Sequence, residues 1–120
     1  MYELLPTIEK RLSQEDIVFF KIGKSECAEE RFRDPEYDNY QLMGIVAVGN
    51  VGMINQAECD LIDYFKSSQI TNKCANENRG GGGNPNAVEL YIFAQEKNAD
   101  RFDGLLDPTP LFEFETVELK

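Results

Sequence analysis

Three short apolar runs constrain the fold of this sequence more than any other feature. They cover residues 17–23, 40–48 and 88–94 and are rich in β-branched and aromatic side chains. Each run is far too short to cross a membrane as a helix. The middle run is apolar at both alternating positions, which is typical of a strand covered on both faces. The sequence therefore predicts a small sheet built on three core strands.

Apolar residues recur at helical spacing in segments before and between these runs. Short helices are predicted at residues 6–14 and 26–33, the second preceded by Ser25 and ordered from acidic to basic residues. Ile54, Leu61 and Phe65 share one helical face and predict the longest helix. Together these patterns predict an α+β fold with a small, mainly antiparallel sheet of three to four strands and flanking helices.

Two further segments have a less regular composition. Residues 71–86 form a long polar stretch that contains the glycine run Gly80–Gly83. This run lacks the Gly-Lys-Ser ending of a phosphate-binding P-loop, so a flexible loop is the preferred interpretation. Near the C-terminus, Phe112–Val117 alternates apolar and acidic residues, which predicts an edge strand with carboxylates facing water.

Composition limits the possible functions. The 120 residues suit a single domain, and the N-terminus lacks a signal-peptide pattern, so we expect a cytoplasmic protein. There is no histidine, which excludes Ser/His/Asp and Cys/His triads, and Cys27, Cys59 and Cys74 show no metal-binding spacing. The net charge of −10 opposes non-specific nucleic-acid binding but fits an acidic protein that imitates DNA.

Glu58 is the most unusual charged residue, because it lies on the apolar face of the longest predicted helix. A buried carboxylate requires a partner. On pattern alone, a capping box formed by Asn55 and Glu58 is favoured over catalysis or metal binding. Lys21, Lys24 and Arg31 form a local positive cluster, for which solvated surface charge is the ordinary interpretation.

Four ordered motifs, at residues 20–25 (Phe-Lys-Ile-Gly-Lys-Ser), 30–32, 57–58 and 72–73, resemble the GIY-YIG nuclease superfamily. In phage and viral members of that superfamily, Lys-Ile-Gly replaces Tyr-Ile-Gly. The resemblance covers about residues 17–93 and leaves an acidic C-terminal extension at 95–120. It implies a GIY-YIG-like fold and a metal-dependent DNA endonuclease that hydrolyses phosphodiester bonds.

The resemblance also implies roles for individual residues. Glu58 would hold a single Mg²⁺ or Mn²⁺ ion, Arg31 would bind the scissile phosphate, and Lys24 would contact phosphate. Lys21 would replace the second tyrosine of the family, and Asn72 would brace the phosphate site. The attacking water would lie near Tyr37, Tyr40 or Tyr2, the last a displaced candidate for the tyrosine of the family's first strand.

Two alternatives to a nuclease remain open from the sequence. The first is a non-enzymatic acidic interaction protein, a DNA mimic or an inhibitor, that binds a basic nucleic-acid-binding partner through its carboxylates. The second is a small assembly protein whose Gly/Asn-rich loop orders on contact with a partner. The sequence predicts neither a membrane partner nor an oligomeric state.

Overall fold

A computed structural model of the chain shows an α+β fold in which helices pack on a mixed five-stranded sheet. The structure describes residues 1–77, 80, 83–97 and 108–120. The strands are β1 (Ile17–Ser25), β2 (Leu42–Val48), β3 (Glu89–Glu96), β4 (Thr109–Pro110) and β5 (Val117–Glu118). The α-helices are α1 (Leu5–Leu12), α2 (Ala28–Phe32) and α3 (Val51–Lys66), with 3-10 helices at Tyr2–Leu4, Pro35–Tyr37 and Thr71–Lys73.

The sheet has the order β1-β3-β2-β4, and β5 also pairs with β2. The three long strands are antiparallel, whereas β4 and β5 run parallel to β2. The predicted α+β class and the antiparallel pairing of the long strands are confirmed, whereas the predicted three to four strands are corrected to a mixed sheet of five. The parallel pairs arise because the C-terminal segment follows β2 in the same direction and donates backbone hydrogen bonds to its outer edge.

The edge strand predicted at Phe112–Val117 is wrong in its extent, but the exposure predicted for its carboxylates is confirmed, since Glu113 and Glu115 are exposed. Only Val117–Glu118 is a strand there, while the rings of Phe112 and Phe114 stack on each other with centroids 4.7 Å apart. Leu111 is buried in the main core and anchors the segment. The described part of the acidic C-terminal segment thus packs on the sheet, where it covers the edge of β2.

Hydrophobic residues pack on both faces of the sheet. The larger core lies between the sheet and helices α1 and α3, where the rings of Phe20 and Phe65 meet edge to face with centroids 5.2 Å apart. The smaller core lies on the other face under α2 and consists of Ala28, Phe32, Tyr37, Tyr91 and Phe93. Among the described residues, no helix combines the length and apolarity needed to cross a membrane.

The flexible loop predicted around the glycine run lies partly outside the described residues. Of that run, the structure describes Gly80 and Gly83, both of which have a positive φ. This backbone conformation favours glycine, since other side chains adopt it rarely. These two glycines therefore supply a backbone geometry that most residues could not provide.

Candidate functional site at the outer edge of β1

A pocket of about 730 Å³ lies at the outer edge of β1. Its described lining comes from β1, α2, α3, β3 and the segments that follow Thr71–Lys73. Four of the residues that the resemblance implies for the site line this one pocket: Lys21, Lys24, Arg31 and Glu58. The fold therefore brings together side chains that the sequence places on three separate elements.

Because β1 is an edge strand, side chains from both of its faces reach the pocket. Lys21 and Gly23 lie on the α2 face, opposite Phe93 and Tyr91 of β3. Lys24 lies on the α3 face, is only 8% exposed, and donates a hydrogen bond from Nζ to Asn55 Oδ1 at 2.5 Å. The ammonium of Lys24 is thus held below the surface of the protein by α3.

Glu58 lies in the middle of α3 and is 7% exposed. The capping-box interpretation is wrong, because α3 begins at Val51 and its N-cap is Asn50, whose Oδ1 accepts from the Met53 N–H. Gly80 closes over the carboxylate with a φ of +98°, and a Cβ at this position would lie 3.1 Å from Glu58 Oε1. The pocket therefore contains a recessed carboxylate for which helix capping gives no explanation.

Tyr91 is a pocket residue that the sequence motifs did not indicate. Its ring covers Gly23 so closely that a Cβ on Gly23 would lie 2.3 Å from Tyr91 Cζ. Burial, and secondarily the hydrogen-bonded Tyr37, raises the pKa of the Tyr91 hydroxyl far above its ordinary value, so it stays a neutral phenol. A glycine inside an apolar strand indicates such a close approach, and this signal is present in the sequence.

The three tyrosines that the sequence predicted for the site lie outside the described lining of the pocket. Tyr37 is buried in the smaller core and contributes indirectly, through its hydrogen bond with Tyr91. The Tyr40 ring packs 6.1 Å from that of Tyr37, and burial raises the pKa of its hydroxyl. Tyr2 lies in the first 3-10 helix and donates a hydrogen bond to Asp60. Tyr91, not Tyr2, is thus the tyrosine beside Gly23.

Asn76 braces the pocket wall through its side-chain amide. Asn76 Oδ1 accepts from the Ile22 N–H at 2.9 Å, and its Nδ2 donates to the Ile22 carbonyl at 2.8 Å. Ala75 N–H also bonds to the Phe20 carbonyl, so the segment runs beside β1. Asn72 is exposed and lies outside the described pocket lining. The role that the resemblance implies for Asn72 stays a prediction, and the amide that contacts β1 is four residues further along the chain.

The described lining carries three basic side chains, from Lys21, Lys24 and Arg31, and two acidic ones, from Glu58 and Glu77. Within the described residues, no group of three or more potential metal-ligating side chains exists. A single recessed carboxylate fits Mg²⁺, which keeps several waters and takes the rest of its ligands from substrate oxygens. It does not fit zinc, which prefers several nitrogen or sulfur ligands.

Comparison with protein-family models, curated proteins and solved structures gives no significant match. The function is therefore inferred from the chemistry of the pocket.

Proposed function

We propose that the protein is a metal-dependent nuclease that hydrolyses DNA phosphodiester bonds in the pocket at the edge of β1, as its resemblance to GIY-YIG enzymes implies. The observation that supports this proposal is the convergence of Lys21, Lys24, Arg31 and Glu58 on one pocket. These side chains supply phosphate-binding cations and a metal ligand, and the pocket confines the reaction; all three favour phosphodiester hydrolysis.

Each cation has a distinct part in binding phosphate. The Arg31 guanidinium can bind two phosphate oxygens at once, which orients the phosphodiester. Lys24 adds a positive charge that Asn55 holds in place. Lys21, whose Nζ lies 5.2 Å from the centre of the Tyr37 ring, adds a third charge on the opposite face of β1. Together they stabilise the negative charge that develops on the phosphoryl oxygens.

Glu58 would hold the metal ion, which supplies Lewis-acid activation of water and phosphate when bound. Gly80 covers one side of this carboxylate. The neutral Tyr91 hydroxyl, hydrogen-bonded to Tyr37, would orient the attacking water and not deprotonate it, since its raised pKa opposes formation of a phenolate. Tyr91 thus takes the role that the resemblance implies for Tyr37, Tyr40 or Tyr2.

The test is cleavage of circular single-stranded DNA and of supercoiled plasmid, side by side, with Mg²⁺ or Mn²⁺ at low salt. Glu58→Gln keeps the shape of the side chain but removes its charge, and we expect it to lower the cleavage rate about 10²-fold or more. The matched control is Glu113→Gln, at an exposed position in the C-terminal segment, which should cleave like wild type. Folded wild-type protein that cleaves neither DNA with either metal would contradict the proposal.

A second candidate, an acidic interaction protein, is favoured by the net charge of −10 and by exposed carboxylates such as Glu29, Glu30 and Glu36. Such a protein would bind a basic nucleic-acid-binding partner at low salt. Its binding would be insensitive to Glu58→Gln, since that carboxylate is buried. The same variant therefore separates the two functions.

A further inference from the structure

Acidic side chains flank the pocket where Arg31 lines it. Arg31 Nη1 lies 3.7 Å from Asp34 Oδ2 and 4.0 Å from Glu36 Oε1, and the side chains of these two acids are 50% and 63% exposed. Glu30 is also exposed and, with Glu26, Asp34 and Arg31, lines a neighbouring recess of about 270 Å³. We call Glu30, Asp34 and Glu36 the acidic rim. A phosphate bound by Arg31 therefore lies close to these carboxylates.

The acidic rim repels paired strands more strongly than unpaired strands. Duplex DNA carries one negative charge per about 1.7 Å of its axis and is stiff over about 150 base pairs. It cannot offer a single phosphate without bringing the neighbouring phosphates close to the rim. An unpaired strand is flexible, so it can turn one phosphodiester inward and keep its other phosphates away from the carboxylates.

The depth of the pocket also favours an unpaired strand over a duplex. Lys24 is 8% exposed and Glu58 is 7% exposed, so one phosphate-binding cation and the metal ligand lie below the protein surface, whereas the Arg31 side chain is 35% exposed. The volume of about 730 Å³ falls within the range of about 300–1,000 Å³ that is typical of small-molecule sites. Ile22, Ile62 and Ala75 provide apolar lining beside the charged groups. These dimensions suit one nucleotide unit, with its base on the apolar part.

We propose that this site binds unpaired strands with one nucleotide unit in the pocket, and that the acidic rim excludes double-stranded substrates. This inference rests on the nuclease function proposed above. Asp34 and Glu36 have a second effect, because they partly neutralise Arg31 until a phosphate replaces them. The rim residues are thus determinants of specificity that do not themselves touch the reacting atoms.

The test is equilibrium binding, measured by fluorescence anisotropy in Ca²⁺, of labelled oligothymidine and of its duplex with oligodeoxyadenosine. The rim variant is Glu30→Gln/Asp34→Asn/Glu36→Gln. Its matched control, Glu113→Gln/Glu115→Gln/Glu118→Gln, changes the net charge equally at exposed C-terminal positions. Five of the six positions are exposed, and the Asp34 side chain is 50% exposed and makes no cap hydrogen bond. Both variants should therefore fold.

We expect wild type to bind oligothymidine about ten-fold or more tightly than the duplex. Contact with the one or two phosphates of a single nucleotide unit predicts a slope of log K against log salt of about −0.7 to −1.4 for the single strand. The rim variant should gain about ten-fold or more in duplex affinity. Its single-strand affinity should rise by less than about three-fold, through the loss of competition for Arg31 alone. The C-terminal variant should change neither affinity by more than about three-fold, because its carboxylates lie outside the rim.

Three outcomes would overturn the inference. Wild type could bind the duplex as tightly as the single strand, the C-terminal variant could gain as much duplex affinity as the rim variant, or wild type could bind neither probe. These failures differ from failure of the nuclease proposal. Selective single-strand binding without metal-dependent cleavage would support the strand specificity and refute hydrolysis. Efficient duplex cleavage would support hydrolysis and refute the strand specificity.

Discussion

A close contact between Gly23 and Tyr91 fixes the geometry of the pocket at the level of single residues. Gly23→Ala would place a methyl group 2.3 Å from Tyr91 Cζ and Oη. The ring cannot move away freely, because it is 2% exposed and stacks on Phe93. We expect Gly23→Ala to lower the free energy of unfolding by about 1–3 kcal/mol, measured by urea denaturation, as for other overpacked cores.

The control for this substitution is Gly52→Ala in α3, where the nearest atom to an added Cβ is Asn50 Oδ1 at 3.6 Å. Alanine favours helix by about 1 kcal/mol over glycine in a helix interior, so stability should be unchanged or slightly raised. Equal destabilisation by the two alanines would show that the contact with Tyr91 has no special role.

The sequence predicts some pocket residues but cannot predict others. Lys24, Arg31 and Glu58 stand in motifs with defined spacing, so the resemblance selects them from the sequence alone. Tyr91 reaches the pocket only because β3 pairs with β1 across a long sequence separation. No local pattern encodes that pairing. Asn76 could not be predicted for a related reason, because no local sequence pattern indicates which of several nearby asparagines lies beside β1.

At the level of elements, the edge of β1 is held by the segment that contains Asn76. Replacing Asn76 by alanine removes both hydrogen bonds to the backbone of Ile22. We expect a loss of about 1–3 kcal/mol in the free energy of unfolding, together with faster hydrogen exchange of the Ile22 amide.

Asn72→Ala is the matched control, because Asn72 is exposed on a 3-10 helix outside the described pocket lining. Its stability should stay within about 0.5 kcal/mol of wild type. If Asn72→Ala slowed cleavage or destabilised the protein more than Asn76→Ala, the bracing role that the resemblance implies for Asn72 would be correct.

Elements are predictable in proportion to the strength of their local signal. The three long strands and three α-helices occur where periodicity places them, with shifted ends. The start of α3 differs from the capping box predicted at Asn55 and Glu58, since Asn50 is the N-cap. Strands β4 and β5 have two residues each, too few to show any alternation. Their parallel pairing with β2 is therefore a tertiary effect.

For the whole molecule, the distribution of charge matters more than its sum. The net charge of −10 is evident from the sequence and by itself opposes phosphate binding. The fold places Lys21, Lys24 and Arg31 around one recess, so a local positive site can exist within an acidic protein. Composition alone cannot reveal this arrangement, because it depends on which faces of β1 and α2 meet.

This arrangement predicts opposite responses of stability and binding to salt. Screening reduces repulsion among the excess carboxylates, so the melting temperature should rise between low salt and about 0.5 M NaCl. A rise of about 4 °C would correspond to about 1 kcal/mol for a small domain. Over the same range, affinity for oligothymidine should fall, since phosphate binding releases counterions. Calorimetry and anisotropy on one salt series measure both effects.

The variant Glu113→Gln/Glu115→Gln/Glu118→Gln tests the cause of the thermal effect. It removes three of the repelling charges without altering the pocket, so its melting temperature should respond less to salt while its oligothymidine affinity falls as steeply as that of wild type. A melting temperature that drops as salt is added would mean that attractive pairs such as Arg33–Glu29, at 2.9 Å, outweigh the repulsion. The acidic surface would then stabilise the fold directly, and carboxylate substitutions on it would each destabilise the protein.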